Sequence, residues 1–374
     1  QKIQPVKDIA SDDRRRTGTT GKAVKLGSVG TASYARMDSG IGELNRVLGG
    51  GMVLGSLTLI SGEPGIGKST LIVETANSIA NAYGPVLYVS GEESEEQVKL
   101  RADRVCGSIS DNLYIFPETN MENIVAVCEN IKPCFLIIDS IQTVYSTAVD
   151  SVAGSVTQIR ACSNLLIKFA KTNNVPVFIV AHVTKSGALA GPKTIEHMVD
   201  CVLNFTGERD RDLRILRSFK NRFGTTDEIG AFRMTSEGML ELSDLSGSLI
   251  ENSTAEEGSV ISATYEGSRP VFFEIQALAA QANVGFARRT AIGINSNRLS
   301  MILAVLEKKA GLALINYDVY VNVVGGMKSE STSTDLAVAL AIYSSFRNKT
   351  SSRRIIAVGE VGLTGNLRSV PNAD

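Results

Sequence analysis

The chain has 374 residues, with 38 Lys and Arg against 39 Asp and Glu, 2 His, 5 Cys and no Trp. Its 43% hydrophobic and 21% charged residues are ordinary for a globular chain, so disorder is not the default, and its length predicts two domains of about 100–200 residues each. No apolar run approaches the ~20 residues that span a bilayer, so no membrane association is expected; a net charge of −1 excludes a uniformly basic nucleic-acid binder but not a local basic patch.

In chain order, residues 1–33 are polar, rich in Gly, Ser and Thr, and carry Arg14, Arg15 and Arg16; they read as a flexible lead-in. LTLIS (57–61) is a short apolar run ending in Gly62, and a helical pattern follows from Lys68 with Leu71, Ile72, Thr75, Ala76 and Ile79 on one face. VLYVS (86–90) predicts a second buried strand, 95–105 a helix, LYIF (113–116) a strand, and Ile124, Val125, Cys128 and Ile131 one helix face. CFLIID (134–139) is a continuous apolar run ending in an acid, 158–172 a helix, and VFIVA (177–181) a further buried run. Short apolar runs alternating with helices indicate a parallel sheet covered on both faces.

After Asp200, VLNF (202–205), LRILRSF (213–219), GAFRM (230–234) and MLEL (239–242) predict antiparallel strands that finish the same domain. Residues 243–258 are polar and predict a linker. A second unit follows, with strands SVISATY and PVFFEIQAL, a helix 298–309, a strand 318–324, a helix 334–346 and a strand RIIAVG (354–359). The expected organisation is a lead-in 1–33, an α/β domain 34–245, a linker 246–257 and an α+β domain 258–374 that stops without an obvious end.

The cysteines, Cys106, Cys128, Cys134, Cys162 and Cys201, are odd in number and contain no C-x-x-C pair. A disulfide framework and a zinc ribbon are both disfavoured, so reduced thiols and no zinc are expected. His182 and His197 are too few for a His-rich metal site. The chain begins at Gln1 without a charged-then-apolar leader, as a trimmed piece would.

GEPGIGKST (62–70) fits G-x-x-x-x-G-K-[ST], a pattern expected by chance in about one chain in a hundred of this length. Gly62, Gly65 and Gly67 let the backbone curl so that amides point inward at phosphate oxygens, with Glu63, Pro64, Ile66 and Thr70 completing the loop. The helix N-terminus adds about half a positive charge. Lys68 would reach the β- and γ-phosphates of ATP, and the Ser69 hydroxyl would ligate Mg²⁺. Asp139, closing an apolar strand, is expected to hold the metal through water. A base that polarises water is expected on a strand next to the P-loop strand; LYVSGEES (87–94) offers Glu92, with Glu93 as the alternative.

These parts resemble the RecA superfamily, and KNRFG (220–224) is similar to the signature of the bacterial RadA (Sms) family of DNA-repair ATPases. NRVLGGG (45–51), LYVSGEES, FLIIDSIQT (135–143), GPKTIEHMVD (191–200) and VLEKKAGL (305–312) resemble the same family, over roughly residues 34–374. The resemblance implies a RecA-like P-loop ATPase with a parallel sheet core, followed by a domain related to the proteolytic domain of Lon. It further implies hexameric rings that move on single-stranded DNA, branch migration of recombination intermediates, a partner recombinase and a bacterial cytoplasm, near the nucleoid. An organelle matrix would look the same. Two departures stand out: the family's four-cysteine zinc finger is absent, the chain starting just after its expected place, and the C-terminal domain stops short.

By the same resemblance, Lys220 and Arg222 would act across a subunit interface, as an arginine finger does, and couple to DNA. DNA contacts are expected from two further stretches: 146–158, small and hardly basic, and 184–196, which carries Lys185 and Lys193 among glycines. Aligning 329–341 with Lon puts Ser333 near the nucleophile position, but no lysine follows Lys349 to serve as base, so protease activity is not expected. Arg288, Arg289, Arg298, Lys308 and Lys309 are candidates for a basic face. The competing reading is a RecA-like nucleotide-dependent oligomeric switch or scaffold with little motor activity.

Overall fold

Residues 35–182, 191–207, 212–251, 253–282, 287–329 and 331–370 are described by a computed structural model of the chain. It opens with β1 (Arg36–Met37), α1 (Gly42–Leu48) and β2 (Met52–Val53), the two strands pairing antiparallel. Gly49, Gly50 and Gly51 between α1 and β2 all have positive φ. A backbone of that kind needs glycine, and so the run reads as a loop in sequence although it joins two ordered elements.

A nine-stranded sheet follows. Its strands are β3 (Leu57–Gly62), β4 (Val86–Ser90), β5 (Leu113–Pro117), β6 (Phe135–Asp139), β7 (Val177–His182), β8 (Cys201–Thr206), β9 (Leu213–Asn221), β10 (Ile229–Met234) and β11 (Met239–Glu241). Their order is β11-β10-β9-β8-β3-β7-β6-β4-β5. All pairs from β8 to β5 are parallel, and β9, β10 and β11 extend the β8 edge antiparallel. VLNF (202–205) pairs antiparallel with β9 as expected, but on its other side β8 is the parallel neighbour of the P-loop strand, which its crowding with turn residues did not suggest.

Helices α2 (Lys68–Ala82), α3 (Glu95–Val105), α4 (Met121–Ile131), α5 (Val156–Asn173) and α6 (Gly191–Glu196) cover this sheet, and α1 packs on its β9–β10 part. All six residues of β3 are buried because each face meets a helix layer. Ile60 packs into the core under α2, and Leu57 and Leu59 into the core under α5. Each such aliphatic side chain contributes about 1.5–3 kcal/mol. Ser94 and Gln97 form a capping box on α3, and Asn120 and Ser155 cap α4 and α5.

The polar stretch expected as a linker begins inside a helix, α7 (Leu245–Ile250), which Asp244 caps. Its spacing puts Leu245 and Leu249 against the C-terminal core. Beyond it lie β12 (Ser259–Glu266), β13 (Arg269–Gln281), β14 (Arg289–Ile292), α8 (Ser296–Ala310), β15 (Tyr317–Val323), α9 (Asp335–Arg347), β16 (Glu360–Val361) and β17 (Leu367–Arg368). The sheet order is β12-β13-β15-β14, and only the β14–β15 pair is parallel. RIIAVG forms no strand; it makes an isolated bridge between Ile356 and Ile261. Residues 35–374 form one unit, since Ile215 and Ile229 of the large sheet share a core with the small one, and Arg269 pairs with Glu43 at 2.7 Å.

Candidate active site

The P-loop turns from the tip of β3 into α2. Gly65 and Gly67 have φ of 77° and 113°, and a Cβ on Gly67 would stand 2.1 Å from Met239 Cε. Gly67 is the N-cap of α2 and offers no side-chain cap, so the first helical amides are left for a ligand. Arg214, buried on β9, donates through Nε to the Ile66 carbonyl at 3.1 Å and holds the loop from below.

Lys68 is buried, and its Nζ donates to the carbonyls of Gly62 at 2.8 Å and Glu63 at 3.0 Å. Burial pulls its ammonium down to about 8, against the opposing pull of Asp139 and Glu92. The Ser69 hydroxyl donates to Asp139 Oδ2 at 2.9 Å. The structure thus brings together the P-loop lysine, the P-loop serine and the strand-tip acid. Asp139 also accepts from the Tyr88 hydroxyl at 2.5 Å, and burial beside that carboxylate raises the phenol well above its ordinary range. Tyr88 lies in the middle of β4 and reads there as an ordinary buried aromatic.

Glu92 and Glu93 separate clearly. Glu93 binds Arg101 through both oxygens, at 2.6 and 2.5 Å. Glu92 is exposed, accepts from Ser140 Oγ at 2.5 Å, and lies 3.5 Å from His182 Nε2. The expectation of a base on a strand adjacent to the P-loop strand is corrected, because β7 and β6 stand between β3 and β4. Glu92 meets the site instead through the β6 tip, where Gly91 N donates to the Asp139 carbonyl at 2.7 Å. His182 closes β7, the direct neighbour of β3, and its Nδ1 is buried without a partner; Gln142 Oε1 is likewise unpartnered. Sequence reading passed over both. The available signal was a polar residue ending a buried run. A cradle of free amides, a lysine resting on carbonyls and orphaned polar atoms fits a phosphate chain with a hydrated cation. Among the described residues there is no cluster of three or more His, Cys, Asp or Glu that could hold a metal. The Ser69 hydroxyl and the Asp139 carboxylate, 2.9 Å apart, are the candidate groups for Mg²⁺, which keeps several waters.

Lys220 and Arg222 are not part of this cluster. Asn221 pairs with Cys201, at the opposite end of the strands from Gly62, about 13 Å away along the strand direction by four residues of rise. Lys220 Nζ donates to the carbonyls of Glu196, His197 and Val199. Arg222 is half-exposed and lies 3.4 Å from Asp200. Two motifs read separately form one knot: Asn221 donates to the Leu48 carbonyl, and Arg36 donates to Leu48, Gly51 and Phe223.

Lys185 lies outside the described residues, and Lys193 falls on α6. The stretch 146–158 is held by Gln158, whose amide bonds Ser146, Val149 and Ser151. In the C-terminal domain Ser333 is buried and donates to the Ala263 carbonyl. Arg298 is committed to Asp335 rather than to an open basic face, whereas Arg288, Lys308 and Lys309 are exposed. All five cysteines are free, and burial raises the thiols of Cys128, Cys162 and Cys201 to about 12. No helix among the described residues is long and apolar enough to cross a membrane.

A P-loop on a parallel sheet, an acid-tipped strand bonded to the P-loop serine, and an antiparallel edge define a RecA-like P-loop ATPase. Residues 26–188 match the AAA domain family, and residues 276–373 match the family described as subunit ChlI of Mg-chelatase. The DNA repair protein RadA of Streptococcus pyogenes serotype M6 is 50% identical over 366 residues, covering 98% of this chain and 80% of that one. That of Streptococcus pneumoniae (strain ATCC BAA-255 / R6) is 50% identical over 355 residues, 95% of this chain and 84% of that one. That of Bacillus subtilis (strain 168) is 48% identical over 353 residues, 94% and 77% respectively. The chain belongs to the RadA family of DNA repair proteins. A KaiC-like protein, PH0186, from Pyrococcus horikoshii OT3 superposes with a TM-score of 0.47 at 21% identity, over 56% of this chain and 99% of that one.

Proposed function

We propose that the chain is an ATP-driven motor on single-stranded DNA that acts in recombinational DNA repair as a hexameric ring and drives branch migration, in a bacterial cytoplasm and with a partner recombinase. The observation that carries the nucleotide chemistry is the cluster of Lys68, Ser69, Asp139 and Glu92 around the P-loop. Lys68 trades its two backbone carbonyls for phosphate oxygens. Ser69 and Asp139 would hold Mg²⁺, the hydroxyl as a ligand and the carboxylate through water, and the ion would supply positive charge beside the phosphates. Glu92, free of the Arg101 pair that occupies Glu93, accepts a proton from the attacking water, and His182 orients it.

Arg222 supplies positive charge to the neighbour's γ-phosphate. Its place at the strand end opposite the P-loop supports this role, because that end faces away from the nucleotide of its own subunit. Lys185 and Lys193 track DNA phosphates without reading bases. The test is ATP turnover with and without single-stranded DNA. Turnover rises with DNA, Lys68→Ala abolishes it, and DNA affinity falls steeply with salt. Turnover indifferent to DNA at moderate salt would refute the motor and favour a nucleotide-dependent switch.

A further inference from the structure

Strand alternation decides what lies beneath Asp139. On β6, Phe135 and Ile137 face the core under α2, and Leu136 and Ile138 face the core under α5. Asp139, two residues beyond Ile137, continues the α2 face and meets the start of that helix. Tyr88 of β4 stands directly opposite Ile137 and faces the same core. Its ring therefore runs diagonally toward Asp139, a span within reach of an aromatic side chain.

Two hydroxyls meet on one oxygen. Ser69 Oγ donates to Asp139 Oδ2 at 2.9 Å from the helix side, and the Tyr88 hydroxyl donates to the same Oδ2 at 2.5 Å from the core side. Among the described residues Oδ1 takes no donor. Ser69 is half-buried at the helix start and can turn its hydroxyl to a cation. Tyr88 is 2% exposed, and moving its ring would open the close-packed core between α2 and the sheet. The tip of β4 is fixed as well: Gly91 N donates to the Asp139 carbonyl at 2.7 Å, and Ser90 Oγ exchanges hydrogen bonds with the Glu93 backbone at 2.7 and 3.1 Å. The phenol stays a donor, because burial and the neighbouring carboxylate both raise it well above its ordinary range. Phenylalanine would fill the same core, so the hydrogen bond is what the hydroxyl adds.

We propose that Tyr88 is a positioning residue for the cation site: its hydroxyl pins Oδ2 of Asp139 and leaves Oδ1 for the water shell of a divalent cation, and it acts only through Asp139. The assignment rests on the reading of Ser69 and Asp139 as the groups that hold Mg²⁺.

Binding of a fluorescent ADP to the full chain, titrated with Mg²⁺, tests it. In wild type Mg²⁺ tightens nucleotide binding. In Tyr88→Phe the Mg²⁺ concentration at half of that tightening rises about tenfold, as loss of an outer partner of a metal-holding group does, and binding in EDTA is unchanged. In an Asp139→Ala background the same substitution has no further effect on the Mg²⁺ midpoint. An unchanged midpoint in Tyr88→Phe, equal weakening with Mg²⁺ and in EDTA, or the same shift with Asp139→Ala as without it overturns the proposal. Wild-type binding indifferent to Mg²⁺ would remove the reading of Ser69 and Asp139 along with it. If Tyr88→Phe does not fold, 3-fluorotyrosine at position 88 decides, since it keeps the hydroxyl. Its fluorine resonance moves when Mg²⁺ joins the ADP complex, because the carboxylate it touches is drawn to the cation; a stationary resonance overturns the proposal.

Discussion

Lys68 costs the nucleotide-free protein stability, and its removal measures how much. Burial lowers its ammonium from 10.5 to about 8. At ~1.4 kcal/mol per unit, the charged form is disfavoured in the folded state by about 3 kcal/mol. Lys68→Met keeps the stem and removes the charge, but strands the Gly62 and Glu63 carbonyls at about 1 kcal/mol each. The balance is a gain of about 1 kcal/mol at pH 7, a melting rise of a few degrees at most. Because the folded value lies below the unfolded one, the penalty is fully present below about pH 8 and fades as pH climbs toward 10.5. Wild-type stability therefore rises relative to the variant across that window. Denaturant melts of nucleotide-free wild type and Lys68→Met at pH 7, 8 and 9 read this directly. A variant clearly less stable at pH 7, or a difference that widens in the variant's favour with pH, would refute the reasoning. Added ATP should reverse the order, stabilising only the wild type.

Further outcomes follow from the same geometry. Burial raises the Glu74 carboxyl to about 7, with Glu241 adding to it and the Met239 amide opposing. A raised carboxyl costs stability as pH climbs from about 4.5 and costs most above 7, so Glu74→Gln should raise the melting midpoint at pH 8 and lose that advantage near pH 4.5. Asp335 is 1% exposed and holds Arg298 through both oxygens as well as the Val361 amide. Asp335→Ala should cost about 3 kcal/mol in a urea melt, and a change under 1 kcal/mol would show the pair to be dispensable.

The P-loop and the strand runs were legible because they are local. The runs at 57–61, 86–90 and 134–139 become β3, β4 and β6 within a residue or so, each a buried strand flanked by helices. Lys68, Ser69 and Asp139 meet because the motif and the strand-end acid carry fixed geometry. Strand order was not legible. Nothing in VLNF distinguishes a parallel partner of β3 from an antiparallel one, and nothing in LYVSGEES shows two strands between it and the P-loop. Tyr88, His182 and Arg214 were missed for the same reason, since each matters only through a partner 50 or more residues away or on another strand. β9 bulges at Phe219 against β8, and the sequence of β9 does not carry that register. Resemblance supplied KNRFG as a motif, but the direction in which each of its side chains points comes from that register.

The central claim is that hydrolysis at this P-loop moves the protein along a single strand. Displacement of streptavidin from the biotinylated end of a single-stranded DNA measures that movement. The account predicts displacement that requires ATP, fails with a non-hydrolysable analogue and is lost in Lys68→Ala. Vigorous DNA-stimulated turnover with no displacement from either end would contradict it.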